Sequence, residues 1–256
     1  MQQELVSIIM SSHNSEYIAG SIESVLAQSY QNWELLITDD CSTDSTRDIV
    51  ATYAAKDPRV KLFKLEQNLG AGAARNNSIE QSQGRYIAFL DSDDRWIADK
   101  LEQQIKFMQN MKIEVCYSSY IEFNEDNDTK TMIVAPKVLR FHDMVKNDYM
   151  GLLTVIYDTA RLGKMYMPNL RKRQDWAFKL LLMQKVDKAI GMIEPLAYYR
   201  VRANSLSGQK IGLVKYNVRV YNKTLGYSII KSWLMLFIVF LPNYFYKKRL
   251  TRLINR

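Results

Sequence analysis

Tyr86-Ile87-Ala88-Phe89-Leu90-Asp91-Ser92-Asp93-Asp94 is an apolar run that ends in a cluster of carboxylates. An unbroken apolar run of this length suits a central strand buried on both faces, as in a parallel sheet. Acids placed where such a strand ends stand at the carboxyl edge of the sheet, where open α/β folds bind ligands. Carboxylates this close repel one another, so the cluster needs positive charge between them. A hard divalent cation answers that need. Mg²⁺ takes one or two protein carboxylates and fills its other positions with phosphate oxygens and water. The alternative is an Asp/Ser cap for a helix after Trp96, but a cap needs one such residue rather than a cluster.

Outward from this stretch, strands and helices alternate. Upstream, the pattern predicts strands at 6–10, 33–38 and 60–65, a further one closing at Leu90, and a fifth at 114–120. Helical apolar spacing covers 17–29, 45–55, 70–81 and 97–111. Ser42-Thr43-Asp44 offers N-cap chemistry for the second helix. Such alternation with short loops predicts a doubly wound, mostly parallel α/β sheet. After Tyr120 the pattern loosens. It predicts a polar hairpin over 121–134, a short helix at 141–146, a strand at 152–157, a helix at 175–184, short strands at 189–193 and 196–201, and a helix at 214–225.

Composition bounds the rest. A chain of 256 residues with 47% hydrophobic residues supports a sizeable core and excludes a disordered chain. A net charge of +8 favours anionic partners. Nucleic acid is not the expected one, because acids at the sheet edge repel a phosphate backbone. Cys41 and Cys116 form neither zinc spacing nor a redox pair, so both are expected reduced and cytosolic. The residues at the start read as a first strand rather than a signal peptide.

The strand ends carry the chemistry: Ser11-Ser12-His13-Asn14, Asp39-Asp40-Cys41-Ser42 and the cluster at Asp91. With Ile37–Thr46, Asn68-Leu69-Gly70-Ala71-Gly72-Ala73-Ala74-Arg75-Asn76, Gly84–Asp94 and, further on, Arg173-Gln174-Asp175-Trp176, the chain resembles the family 2 glycosyltransferases of GT-A fold. Order and spacing match over most of residues 4–205, strongly up to Leu101. The resemblance implies a nucleotide-diphosphate-sugar donor, commonly a uridine one in this family, and an inverting transfer. It implies base binding by Asp40 with Ser11 and His13 nearby, and a DXD motif at Asp91-Ser92-Asp93. In that motif Asp91 lies near the ribose and Asp93 holds Mn²⁺ or Mg²⁺. Asp175 matches the catalytic base. Ser11 stands where the family usually has Pro, and Arg202 where it often has His, so a His metal ligand there is not expected. Arg75 is expected to brace Asp40 or the donor phosphates. Arg173, Trp176, Arg202 and Ser205 are candidates for an acceptor or phosphate loop, with a core role open for Trp176. Apolar residues after Asp175 are expected to desolvate it and raise its pKa. Gly70 and Gly72 miss both the P-loop and GxGxxG spacings and read as turn and close-packing residues.

The most apolar stretch is 233–241, about 14 Å as a helix against a hydrocarbon core of about 30 Å. It is followed by Lys247, Lys248, Arg249, Arg252 and Arg256. These suit a tail, 227–256, lying on the inner face of the cell membrane beside a catalytic domain of 1–226 (donor half 1–120, acceptor half 121–226). Packing on the domain or in a homodimer is the alternative. The expected function is extension of a lipid-linked saccharide in surface polysaccharide synthesis by a cytoplasmic, peripheral enzyme. A nucleotidyltransferase making activated sugars would want a Gly-rich, Arg-containing loop after the first strand, and Ser11–Tyr17 has neither residue. A non-catalytic nucleotide-sugar binder is the third class.

Overall fold

The computed structural model describes residues 3–125, 128–201, 210–247 and 251–254. Four parallel strands, β1 (Val6–Ser12), β2 (Trp33–Asp39), β3 (Val60–Lys64) and β4 (Tyr86–Phe89), lie in the order β3-β2-β1-β4. Helices α1 (Ile18–Leu26), α2 (Thr46–Lys56) and α3 (Ala71–Gln81) connect them. Every residue of β1, β2 and β4 is buried, as continuous apolar runs require when both sheet faces are covered. Alternation divides them between two cores: Ile8, Leu35 and Ala88 face one, and Ile9, Leu36 and Phe89 the other.

The second half makes the sheet mixed. A short β5 (Arg95–Trp96) precedes α4 (Lys100–Met111), β6 (Val115–Asn124), β7 (Thr129–Ile133), β8 (Val138–Leu139) and α5 (Phe141–Lys146). Then come β9 (Ile156–Asp158), α6 (Thr159–Leu162), α7 (Gln174–Met183) and β10 (Ala189–Arg200). β9 runs antiparallel between β4 and β6, and β10 runs parallel to β6.

Among the boundaries that differ from the sequence expectation, three have a visible cause. Residues 152–154 form a 3₁₀ turn, closed by Thr154 N–H on the Gly151 carbonyl at 3.0 Å, so the strand begins only at Ile156. The two short strands around Pro195 are one strand, because register shifts on either side of Pro195 absorb its missing N–H without ending the pairing. Helix α4 starts at Lys100 rather than Ile97, since Arg95 and Trp96 pair with β10 and Ile97 N–H donates to the Leu196 carbonyl at 3.1 Å.

The chain continues through α8 (Lys210–Arg219), a π-wound turn (Val220–Thr224), α9 (Ile229–Leu234), a second π-wound turn (Met235–Phe240) and α10 (Leu241–Lys247). A last strand, β11 (Thr251–Ile254), pairs antiparallel with β7. Among the described residues no helix is long and apolar enough to cross a membrane. The tail instead rests on the core through Leu236 and Phe240, both nearly inaccessible.

The amino edge of the parallel strands is closed by a polar clasp. Ser7 Oγ donates to Glu34 at 2.6 Å, and Gly84 N–H donates to Ser7 Oγ at 2.7 Å. A Cβ on Gly84 would stand 2.5 Å from the Ser7 backbone nitrogen and 2.8 Å from the Leu5 carbonyl oxygen, so the backbone itself is in the way. Gly84→Ala is therefore expected to destabilise the fold by about 1–3 kcal/mol, read as a lower denaturant midpoint at unchanged slope. A midpoint equal to the parent's would show that the two segments separate freely.

Candidate functional site

The carboxyl ends of β1 and β2 lie side by side, with Ser12 opposite Asp39. Ser11 is buried at this edge and His13 is exposed on the loop beyond it. Asn14 takes a left-handed conformation (φ 46°) and locks this loop to the next, its Oδ1 accepting from Thr43 N–H at 2.9 Å. Asp39 is a structural acid: it accepts from Ser42 N–H at 2.9 Å and Arg47 Nε at 2.5 Å. Burial pushes its pKa up, but Ser42 and Arg47 outweigh that and hold it below the usual carboxylate range.

Asp40, 3% exposed, has a use that local sequence did not reveal. Its two oxygens accept from Leu69 N–H at 2.7 Å and Gly70 N–H at 2.8 Å. Gly70 (φ 91°) opens α3, so Asp40 caps a helix that begins thirty residues later. Each carboxylate oxygen keeps a second lone pair for another donor.

Helix α3 then carries Arg75 inward, 6% exposed. Its guanidinium donates to Asp91 and does not reach for Asp40. Burial opposes its charge, yet Asp91, Asp175 and Asp93 together outweigh burial and hold its pKa above the ordinary arginine value. Acids separated by more than eighty positions thus act on one cation, Asp91 by direct contact and Asp93 and Asp175 through their charge. The same helix touches the segment leading to α7. Asn76 and Met167 exchange two hydrogen bonds, of 3.0 and 2.6 Å, and a Cβ on Gly72 would meet Gln174 at 3.4 Å. Gly70 is thus the turn and Gly72 the close approach.

The acid loop after β4 is held from several sides. Ser15 Oγ donates to the Ser92 carbonyl at 2.9 Å, and Ser21 Oγ to the Asp94 carbonyl at 2.7 Å. Arg200, at the end of β10, donates from Nε to the Asp93 carbonyl at 3.0 Å and from its backbone N–H to Asp94 Oδ1 at 2.8 Å. Arg200 itself lies over the Tyr17 ring at 3.9 Å and pairs with Glu125 at 2.5 Å. Burial, then the neighbouring Asp93 and Asp91, push Asp94 well above the usual carboxylate range. Its Oδ2 is buried and accepts no hydrogen bond among the described residues.

These acids fit a cation of one kind. Among the described residues no three His, Cys, Asp or Glu converge to hold a metal by themselves. Arg75 engages Asp91, which leaves Asp93 to supply a carboxylate, and Mg²⁺ needs only one or two when phosphate oxygens and water complete its shell. A cation would therefore be held jointly with a phosphate-bearing ligand.

Asp175 lies in the first turn of α7, 38% exposed. The preceding Arg173 takes a left-handed conformation (φ 64°), which turns the chain into the helix. The expected rise in the Asp175 pKa does not occur. Burial pushes it up, but Lys179, Arg173, the Trp176 N–H and Arg75 together lower it. Lys179 Nζ lies 3.8 Å from Asp175, is 1% exposed, and is anchored on Asp148 at 2.8 Å and on the Met150 carbonyl at 2.6 Å. Trp176 is a core residue, not an acceptor wall: it is inaccessible, donates to the Met144 carbonyl at 2.9 Å and meets Tyr221 and Phe240 edge-on or tilted. Arg202 and Ser205 lie outside the described residues. Lys179, Asp148 and Arg200 went unrecognised in the sequence. The four-residue spacing from Asp175 to Lys179 was the available signal for the first.

The profile described as glycosyl transferase family 2 matches residues 7–167. TuaG of Bacillus subtilis (strain 168), whose name places it in teichuronic acid biosynthesis as a glycosyltransferase, is 44% identical over 221 residues, covering 86% of this chain and 88% of TuaG. WfgD of Escherichia coli, named a UDP-Glc:alpha-D-GlcNAc-diphosphoundecaprenol beta-1,3-glucosyltransferase, is 40% identical over 216 residues, 84% of each chain. Among solved structures, S. aureus TarS 1–349 in complex with UDP-GlcNAc superposes with a TM-score of 0.69 at 22% identity, covering 91% of this chain and 70% of that one. Mannosyltransferase PcManGT from Pyrobaculum calidifontis, in complex with GDP-Man and Mn²⁺, gives 0.65 at 16% identity, over 92% and 71% of the two chains. The fold is that of these GT-A enzymes, and the chain is a glycosyltransferase belonging to glycosyl transferase family 2.

Proposed function

We propose that this enzyme transfers a sugar, with inversion, from a uridine-diphosphate donor to a hydroxyl group of a lipid-linked saccharide in surface polysaccharide synthesis. The observation that carries the reading is the pairing of buried Arg75 with Asp91, on a helix that packs against the start of α7, where the charges of Asp93 and Asp175 also act on it. Donor diphosphate and acceptor hydroxyl would meet there. The donor and acceptor classes follow the printed names of WfgD and TarS 1–349 in its UDP complex. Membrane attachment is proposed with them, because such an acceptor is presented at a bilayer.

In this reading Asp40, Ser11 and His13 line the base pocket, and Asp91 with Ser92 lies along the ribose and diphosphate. The acceptor oxygen attacks the anomeric carbon as the bond from that carbon to the diphosphate oxygen breaks, and the electron pair leaves with the nucleotide. The acceptor proton passes to Asp175, whose lowered pKa keeps it ionised and ready to receive it. Asp93 would hold Mn²⁺ or Mg²⁺, which when bound neutralises charge on the departing diphosphate. Arg75 keeps Asp91 in place and, through its charge, keeps the three acids in one neighbourhood.

Three outcomes are expected. Asp175→Asn lowers turnover of a UDP-sugar with a lipid-diphosphate saccharide acceptor by about 10²–10⁴-fold while donor binding by calorimetry persists. Unchanged turnover would remove Asp175 from the reaction. EDTA, or Asp93→Asn with metal present, is expected to lower turnover by about 10²-fold or more. Full activity in EDTA would leave the transferase without a metal. For pH, Asp175 must be ionised to act, and the Lys179 cation favours that form. Lys179→Met paired with Asp148→Asn removes the cation without stranding its partner acid. The acid limb of kcat/KM is then expected to move to higher pH. An unmoved limb would make Lys179 purely structural.

A further inference from the structure

The last acidic residue of the chain is Glu194, and residues 210–256 contain ten Lys and Arg and no Asp or Glu. Within this basic region the helical segment from Ile229 is apolar on two sides. One side is spent on the protein: Ser232, Leu236 and Phe240 are buried, and the Phe240 ring packs on Trp176 at 5.2 Å. The other side is bare. Ile230 is 72% exposed, Leu234 53%, Phe237 58% and Ile238 67%. The Trp233 and Phe237 rings stack at 5.8 Å along the same surface. Burial recurs every fourth residue, at Ser232, Leu236 and Phe240, through the α-helical and π-wound turns alike, so the exposed apolar side chains between them share the opposite side, a cluster rather than the single apolar residues scattered on a soluble surface.

We propose that this face is the docking surface for an anionic lipid bilayer, with the helix lying in the interface plane. Charge complementarity selects the occupant: Lys231 is exposed on the same helix, Lys223 is exposed on the turn before it, and the sequence from 210 onward holds no acid to oppose a negative leaflet. A spanning orientation is excluded by the buried side, which is committed to the core. The attachment is continuous with the candidate active site. Trp176, which directly follows Asp175, stands on Phe240 of the tail and on Tyr221 just before it. The bilayer would therefore approach the helix that carries the proposed base, so that a lipid-linked acceptor reaches Asp175 without leaving its membrane. This deepens the proposed function, resting on it for the acceptor alone.

The test is co-sedimentation of the full chain with vesicles of phosphatidylcholine, with or without phosphatidylglycerol. Its variant carries Ile230→Ser, Leu234→Ser, Phe237→Ser and Ile238→Ser, all at exposed positions. The parent is expected to bind the phosphatidylglycerol vesicles in a salt-sensitive way, and the variant to lose at least about tenfold in partitioning. Its circular dichroism and UDP-sugar binding are expected to stay unchanged. A parent that ignores anionic vesicles, or a variant that binds them equally, overturns the proposal. So does a parent dimer that the substitutions turn into a monomer, since the face would then be an interface between copies. Vesicle binding without recognition of any nucleotide sugar would instead sink the donor assignment and leave the docking surface standing.

Discussion

A guanidinium buried in the middle of a protein is tolerated only when charge of the opposite sign surrounds it. Arg75 sets that condition here, and Asp91, Asp93 and Asp175 meet it. The dependence is mutual. Acids crowded at one sheet edge would repel one another without Arg75 among them, and Arg75 would be expelled without the acids. Helix α3, the loop after β4 and the start of α7 are therefore held to one arrangement by a single electrostatic requirement.

The same helix links the two halves of the enzyme mechanically. Its amino end is capped by Asp40 from the β2 loop, and its flank meets the chain entering α7 through Asn76, Met167 and Gly72. A shift in either half would be transmitted through packed side chains rather than absorbed by a flexible joint. Behind α7, Lys179 and its partner Asp148 fix the proposed base from below, and Trp176 ties the same helix to the tail.

Much of this was legible in the residues. The apolar runs ending at Ser12, Asp39 and Leu90 needed no structure to be read as parallel strands, because doubly buried strands carry that pattern. The acid cluster at Asp91 and the Asp175 motif were legible through their resemblance to a family. What escaped depended on contacts distant in sequence. Desolvation of Asp175 was foreseeable from its apolar neighbours, but the cations of Lys179, Arg173 and Arg75 reverse its effect, and only the fold brings Arg75 to Asp175. Strand β10 passes through Pro195 because bulges compensate it, and local propensity carries no information about bulges. Nothing local distinguishes Arg200 from the other basic residues of the chain, yet the end of β10 delivers it to Asp93 and Asp94.

The capping bonds of Asp40 have a consequence for how such an enzyme changes over generations. In the proposed site this carboxylate serves two masters, the nucleobase and the Leu69-Gly70 turn from which α3 starts. A substitution there would loosen the helix that places Arg75 before any new base preference was gained. Drift at Asp40 is thus closed off by folding rather than by chemistry. A lineage altering its donor would have to do so at positions free of that burden, such as the exposed His13 on the neighbouring loop.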